Sequence, residues 1–185
     1  IEGLRQLAIE GSRRIGDREA FRQLNLNIWL DHSADPFVDM AVYDEGAGLV
    51  DLDDLEAGQE PCWLGVDLSS NSDLTCVVAC WRDGDDGYQV AAWYFCPEDR
   101  LHERAVRDQV PYPQWAEAGH IIPTPGNVVD FRMVEDHVRE LCARFNVAEI
   151  AFDPHLARNM LNNLLEDGFP AVEMRQGWAT MAPAV

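Results

Sequence analysis

Apolar and polar positions fall into their most regular pattern after Cys62. CWLGVDL (62–68) is a short apolar run with a single Asp inside it. LTCVVACW (74–81) is a second run, rich in β-formers. The turn RDGDDG (82–87) carries a hairpin signal, and YQVAAWYFC (88–96) follows as a third run. Three strands in a meander are therefore expected, the first two joined by SSNSD (69–73). Residues 98–118 are polar and Arg-rich around Leu101, Ala105, Val110 and Trp115, and predict a helix interrupted at Pro111 and Pro113. HIIPTP (120–125) predicts a short strand. Asp130 stands at an N-cap position ahead of the helical stripe Phe131, Val134, Val138, Leu141, Cys142 and Phe145. AEIAFD (148–153) reads as a short buried strand. Pro154 then opens a helix bearing Leu156, Met160, Leu161, Leu164 and Leu165, which Gly168 stops. PAVEM (170–174) is one more strand. Three strands followed by alternating helices and strands indicate an α/β layer fold with a mixed sheet.

The N-terminal stretch is less regular. Leu4, Leu7, Ala8 and Ile15 are loosely spaced at helical intervals, so the first 30 residues predict a helical arm interrupted by Gly11 and Gly16. From Leu24 to Leu30 apolar and polar residues alternate, which predicts a short extended segment. No internal repeat is present.

Charge sharpens this division. The chain has 185 residues and a net charge of −19. Residues 1–30 carry a net +1. Residues 31–60 hold ten acids and no Arg, and residues 61–185 carry a net −10. The stretch DEGAGLVDLDDLEAGQEP (44–61) reads as an extended, self-repelling linker. A boundary is expected near Gln59–Pro61, with an arm and acidic linker over 1–60 and one compact domain over 61–185.

Composition excludes several classes. All fourteen basic residues are Arg. A phosphate-binding loop of the G-x-x-x-x-G-K-[ST] type needs a Lys and cannot be present. The five cysteines (62, 76, 80, 96, 142) are odd in number and lack a C-x-x-C, which argues against a disulfide scaffold and a zinc knuckle. A reduced, intracellular setting is expected. No apolar run approaches the ~20 residues a bilayer needs, and the first residues carry no leader-like pattern.

Two carboxylates stand out. Asp67 ends the apolar strand WLGVDL, and Asp153 ends the apolar strand EIAFD. A charge buried there needs a partner, and two acids at carboxyl ends of strands can share a divalent cation. Mg²⁺ or Mn²⁺ suits such oxygen ligands, and can activate water for phosphodiester hydrolysis. Simpler roles exist for each acid. Asp153 stands where an N-cap would, Asp67 can cap the turn after its strand, and Asp73 suits a turn. Cys76 and Cys80 share a strand face and read as small core residues. The six Trp residues read mostly as core. His120 and His155 read as surface residues. Arg100, Arg104 and Arg107 lie along one predicted helix, either touching a phosphate backbone or forming a solvated face.

GVDLSSNSDLT (65–75), then TPGNVVD (124–130), EIAFDP (149–154) and EMRQGW (173–178) occur in order. Through these motifs the chain resembles the nuclease part of phage terminase large subunits. The resemblance covers about 62–185 and extends weakly into 21–60, which looks like that family's connector between ATPase and nuclease parts. It implies an RNase H-like mixed sheet flanked by helices, with acidic residues holding two divalent metals. By the matching motifs, Asp67 is the metal ligand of the first strand and Asp153 the second, with Asp73 also in the matching motif. The implied activity is cutting of concatemeric double-stranded DNA into packaged genomes, together with a portal protein and a small terminase subunit, in the host cytoplasm. The resemblance also implies a third metal-binding acid on a later helix, and no acid lies between Glu173 and Val185. The chain then reads as a fragment of a longer protein, incomplete at its C-terminus, or as a degenerate copy.

A second reading follows from the same gap: a non-catalytic packaging piece that docks on partners. GVDLSSNSDLT also resembles the first phosphate loop of actin-like and sugar-kinase-like phosphotransferases, but their second lobe and second Asp-Gly loop are missing. ATP binding separates that reading from the others.

Overall fold

In a computed structural model of the chain, residues 2–11, 15–28, 38–69, 73–84 and 87–181 are described. They divide into two compact units between Leu49 and Val50.

The first unit is helical. It contains α1 (Glu2–Gly11), α2 (Ile15–Leu26) and the short α3 (Met40–Glu45). Helix α1 packs on α2. Asp39 caps α3 by accepting the Ala41 N–H at 3.0 Å. The Arg18 guanidinium donates to Asp39 at 2.6 Å, and this bond holds the Asp39 carboxyl below the usual carboxylate range. The extended segment expected from Leu24 is helical as far as Leu26, and Trp29 and Leu30 lie outside the described residues. Alternation over so few residues is a weak signal beside the helical turns already established by α2.

The second unit opens with α4 (Leu52–Gly58), inside the stretch whose acidity predicts an extended linker. Three local features make it helical. The Asp51 carboxylate accepts the N–H groups of Asp53 and Asp54, which caps the first turn. Asp53 and Asp54 then sit where the helix dipole favours negative charge. Leu52 and Leu55 pack against the main core. Arg144 completes the attachment by pairing with Asp53 and Glu56. Residues 50–60 therefore sit with the second unit.

The strands follow the expected order: β1 (Cys62–Asp67), β2 (Thr75–Asp83) and β3 (Gly87–Pro97). A 3₁₀ turn (Glu98–Arg100), α5 (Leu101–Asp108) and α6 (Tyr112–Glu117) lead to β4 (Ile121–Thr124). Then come α7 (Phe131–Arg144), β5 (Val147–Phe152), α8 (Pro154–Glu166), β6 (Ala171–Glu173) and the short α9 (Trp178–Met181). Gly87 is required at the β2–β3 turn, because a Cβ there would stand 2.4 Å from the Asp83 carbonyl oxygen. Gly168 stops α8 with a φ of +84°, which glycine adopts without strain.

The six strands form one mixed sheet in the order β4-β3-β2-β1-β5-β6. β1, β2 and β3 pair antiparallel, whereas β5 runs parallel to β1 and β6 parallel to β5. This is the mixed sheet flanked by helices that the motifs imply, with β4 added parallel at the β3 edge. The main core lies on one face. There Leu64 and Val66 of β1, Val77, Ala79 and Trp81 of β2, and Ile150 and Phe152 of β5 meet α7 and α8. A smaller core of Cys96, Leu101 and Ile121, with Tyr112 and Ala116, covers the opposite face at the β3–β4 edge only. Among the described residues no other buried cluster covers that face.

Several side chains fall differently from expectation. Cys76 and Cys80 alternate away from the main core and are half-buried on the open face. Among the described Trp residues only Trp81 is fully buried, while Trp63 and Trp178 are exposed. Residue type alone does not say which sheet face has a covering layer. His120 and His155 are exposed, as expected.

Candidate active site

The open face acquires its chemistry from strand alternation. In β1, Cys62, Leu64 and Val66 point into the main core, so Trp63, Gly65 and Asp67 point to the other side. β5 runs parallel to β1 with Val66 opposite Phe152. The next residue on each is an acid. Asp67 and Asp153 therefore sit side by side where two adjacent parallel strands end, with strands about 5 Å apart. Across the other edge of β1, Asp67 pairs with Cys76 of β2.

A cavity of about 190 Å³ opens here. The sheet supplies Gly65, Asp67, Cys76, Val78, Ala151 and Asp153 to its lining. The chain after β6 supplies Met174 and Gln176, and α9 supplies Met181. Gly65 keeps the cavity roomy, since a Cβ placed on it would meet nothing within 4 Å.

The two acids have different surroundings. Asp67 is exposed, so no buried charge demands a partner there, contrary to what its position in an apolar run suggests. Asp153 is half-buried and caps α8, its Oδ1 accepting the His155 N–H at 3.0 Å. The N-terminal N–H groups of α8 face this carboxylate, which fixes it at the start of the helix. The capping and pocket roles of Asp153 coexist in one residue. Burial, and then the Asp67 charge, push the Cys76 thiol up to about 11. It stays protonated at neutral pH and is a poor metal ligand.

Asp73 is exposed and does not line the cavity. Its N–H donates to Ser69 Oγ at 3.1 Å, and its carbonyl accepts from Arg104 Nη1 at 3.1 Å. Among the described residues no group of three or more His, Cys, Asp or Glu side chains is placed to hold a metal ion. The donor set brought together is two carboxylates beside a cavity. Hard oxygen donors with room for water fit one Mg²⁺ or Mn²⁺. They do not amount to the two-metal cluster that the resemblance implies.

The three arginines of the 98–118 segment do not form a phosphate-binding row. Arg107 makes a bidentate pair with Asp108, and Arg104 is 2% exposed. The burial of Arg104 is the feature most easily missed. The signal for it was helical spacing: the residue lies three residues after the buried Leu101, on the same face of α5.

A family model, "Terminase large subunit, endonuclease domain", matches residues 8–185. The chain belongs to this family. It is 30% identical over 171 residues to the "Terminase, large subunit" of Enterobacteria phage HK97, a match covering 89% of this chain and 32% of that protein. The crystal structure of the HK97 bacteriophage large terminase is similar at a TM-score of 0.64 with 28% identity, over 97% of this chain and 36% of that one. The chain thus spans about a third of the length of these terminase relatives. Its six-stranded mixed sheet flanked by helices is the RNase H-like fold expected, similar to the HK97 terminase structure. No helix among the described residues is long and apolar enough to cross a membrane.

Proposed function

We propose that this domain is a divalent-metal-dependent endonuclease that cuts concatemeric double-stranded DNA during genome packaging. The observation that carries the reading is the side-by-side placement of Asp67 and Asp153 at the ends of adjacent parallel strands, inside a terminase endonuclease fold. Asp67 and Asp153 would hold Mg²⁺ or Mn²⁺. When bound, the cation supplies charge for the phosphate oxygens and makes water a better nucleophile. Asp67, exposed at the mouth, is the carboxylate a phosphodiester reaches first. Asp153 is fixed by its cap bond and keeps its orientation. The cavity wall beside the acids is largely apolar, including Val78 and Met181. Asp73 serves this site from outside the cavity, through the backbone rather than as a ligand. The partners are the duplex, a portal protein and a small terminase subunit, and the place of action is the host cytoplasm.

The domain is strongly acidic, so it repels phosphate at long range. DNA held by the rest of a packaging assembly makes weak intrinsic affinity sufficient. One observation favours a second reading. Only two candidate ligands meet among the described residues, which suits a non-catalytic docking piece.

Nicking of supercoiled plasmid with Mn²⁺, beside Asp67→Asn and Asp153→Asn, separates the two. Cleavage by the unmutated chain that is lost in both variants supports the nuclease. A folded chain that neither cleaves DNA nor binds Mn²⁺ supports the docking piece.

A further inference from the structure

Arg104 is the only charged side chain buried among the described residues, at 2% exposure. It rises from α5 on the same side of the sheet as the acid pair, beside Cys96 and Tyr112. Burying a guanidinium costs several kcal/mol unless its surroundings compensate, and an apolar residue of similar size would stabilise the small core as well or better. Its presence therefore calls for a job other than packing.

Its Nη1 donates to the Asp73 carbonyl at 3.1 Å. From there a chain of hydrogen bonds runs back to β1. The Asp73 N–H donates to Ser69 Oγ at 3.1 Å. Thr75, fully buried, accepts the Ser69 N–H on Oγ1 at 2.9 Å, and its hydroxyl donates to the Ser69 carbonyl at 3.2 Å. Ser69 is two residues beyond Asp67, and Thr75 immediately precedes Cys76, the β2 partner of Asp67. Each link has one end on the backbone of Ser69 or Asp73, which follow Asp67 in the chain. Several mainchain groups there are held by side chains and not by the sheet ladder.

We propose that Arg104 is a positioning residue for the acid pair: through Asp73, Ser69 and Thr75 it fixes the backbone just beyond Asp67, and so the carboxylate's orientation toward a bound cation. This rests on the reading of Asp67 and Asp153 as a cation site. Arginine suits the task because its planar fork stays charged and can grip a carbonyl while its stem packs among apolar groups. The cation also places positive charge behind a strongly acidic site in a chain without lysine.

The test measures Mn²⁺ affinity by electron paramagnetic resonance, with amide hydrogen exchange, on the full chain and on Arg104→Met, Arg104→Lys and Thr75→Val. Asp67→Asn serves as reference. In Arg104→Met we expect Mn²⁺ binding weakened roughly tenfold, the usual effect of losing a group that orients a metal ligand. The Ser69 and Asp73 amides should exchange faster while β5 amides stay protected. Arg104→Lys should recover part of both. Thr75→Val, which breaks the same chain at another link without touching Arg104, should weaken Mn²⁺ binding in the same direction, and decides the matter if Arg104→Met does not fold. Unchanged Mn²⁺ affinity in folded Arg104→Met, or in Thr75→Val where that variant decides, alongside weakened binding in Asp67→Asn, overturns the positioning role and leaves the cation site standing. Unchanged affinity in Asp67→Asn overturns both.

Discussion

On the face that meets α7 and α8, Leu64, Val66, Val77, Ile150 and Phe152 are buried to within a few per cent. On the opposite face the alternate residues of the same strands, Trp63, Gly65, Asp67, Cys76 and Ala151, stand half-open or exposed. One backbone thus carries two roles, one residue apart. The closed face contributes stability, because each side chain there leaves water completely. The open face presents the acid pair, with Asp67 exposed and Asp153 half-buried. A substitution should be read by the parity of its position before its residue type.

The largest effect should come from the closed face. Leu164→Ala removes a fully buried side chain and should cost about 3 kcal/mol, measured by denaturant unfolding. Asp67→Asn, on the open face, should change stability by no more than about 0.5 kcal/mol while abolishing Mn²⁺-dependent nicking. A large stability loss in Asp67→Asn would break the division. Asp153 sharpens it, since it serves both sides. Asp153→Asn keeps a good N-cap and should be nearly neutral in stability, whereas Asp153→Ala should cost about 1 kcal/mol, and both should lose Mn²⁺ binding.

A smaller effect concerns pH. His137 of α7 lies edge-on against Trp93 and Phe95. Burial lowers its pKa below the ordinary 6.5, with Glu140 partly opposing. The unfolded chain therefore takes up a proton first as pH falls. This contribution to stability is full above 6.5 and is lost as pH drops below it. His137→Phe should flatten unfolding free energy against pH between neutrality and about pH 5. The smallest effect is expected at Arg139, which pairs with Glu135 and Asp167 on the exposed rim of the closed side. Arg139→Met should cost under about 1 kcal/mol, and less in high salt.

Most of this architecture was legible in the sequence, for identifiable reasons. The strands announced themselves by β-branched and aromatic runs between strong turns, and α7 and α8 by caps at Asp130 and Asp153 followed by clean apolar stripes. The pairing of Asp67 with Asp153 was accessible because both end apolar strands. Helix α4 was not, since its high acidity masks Leu52 and Leu55, and its acids pair with the distant Arg144. Nor was the open face, because alternation gives the parity of a strand but not which parity is covered. Cys76 in the cavity lining and Arg104 in the small core both follow from that. Met174, Gln176 and Met181 line the cavity from a segment with no regular pattern to reveal it.

The parallel pairing of β1 with β5 has a kinetic consequence. β1, β2 and β3 are joined by short connections and pair with near neighbours in sequence, so they can zip early. β5 reaches β1 only after α5, α6, β4 and α7 have been traversed, and loop-closure entropy makes such a contact slow to form. Asp67 and Asp153 become neighbours at that step and not before. Partly folded chains with an intact meander carry both acids without bringing them together, so the acid pair is assembled by the long-range closure that completes the sheet.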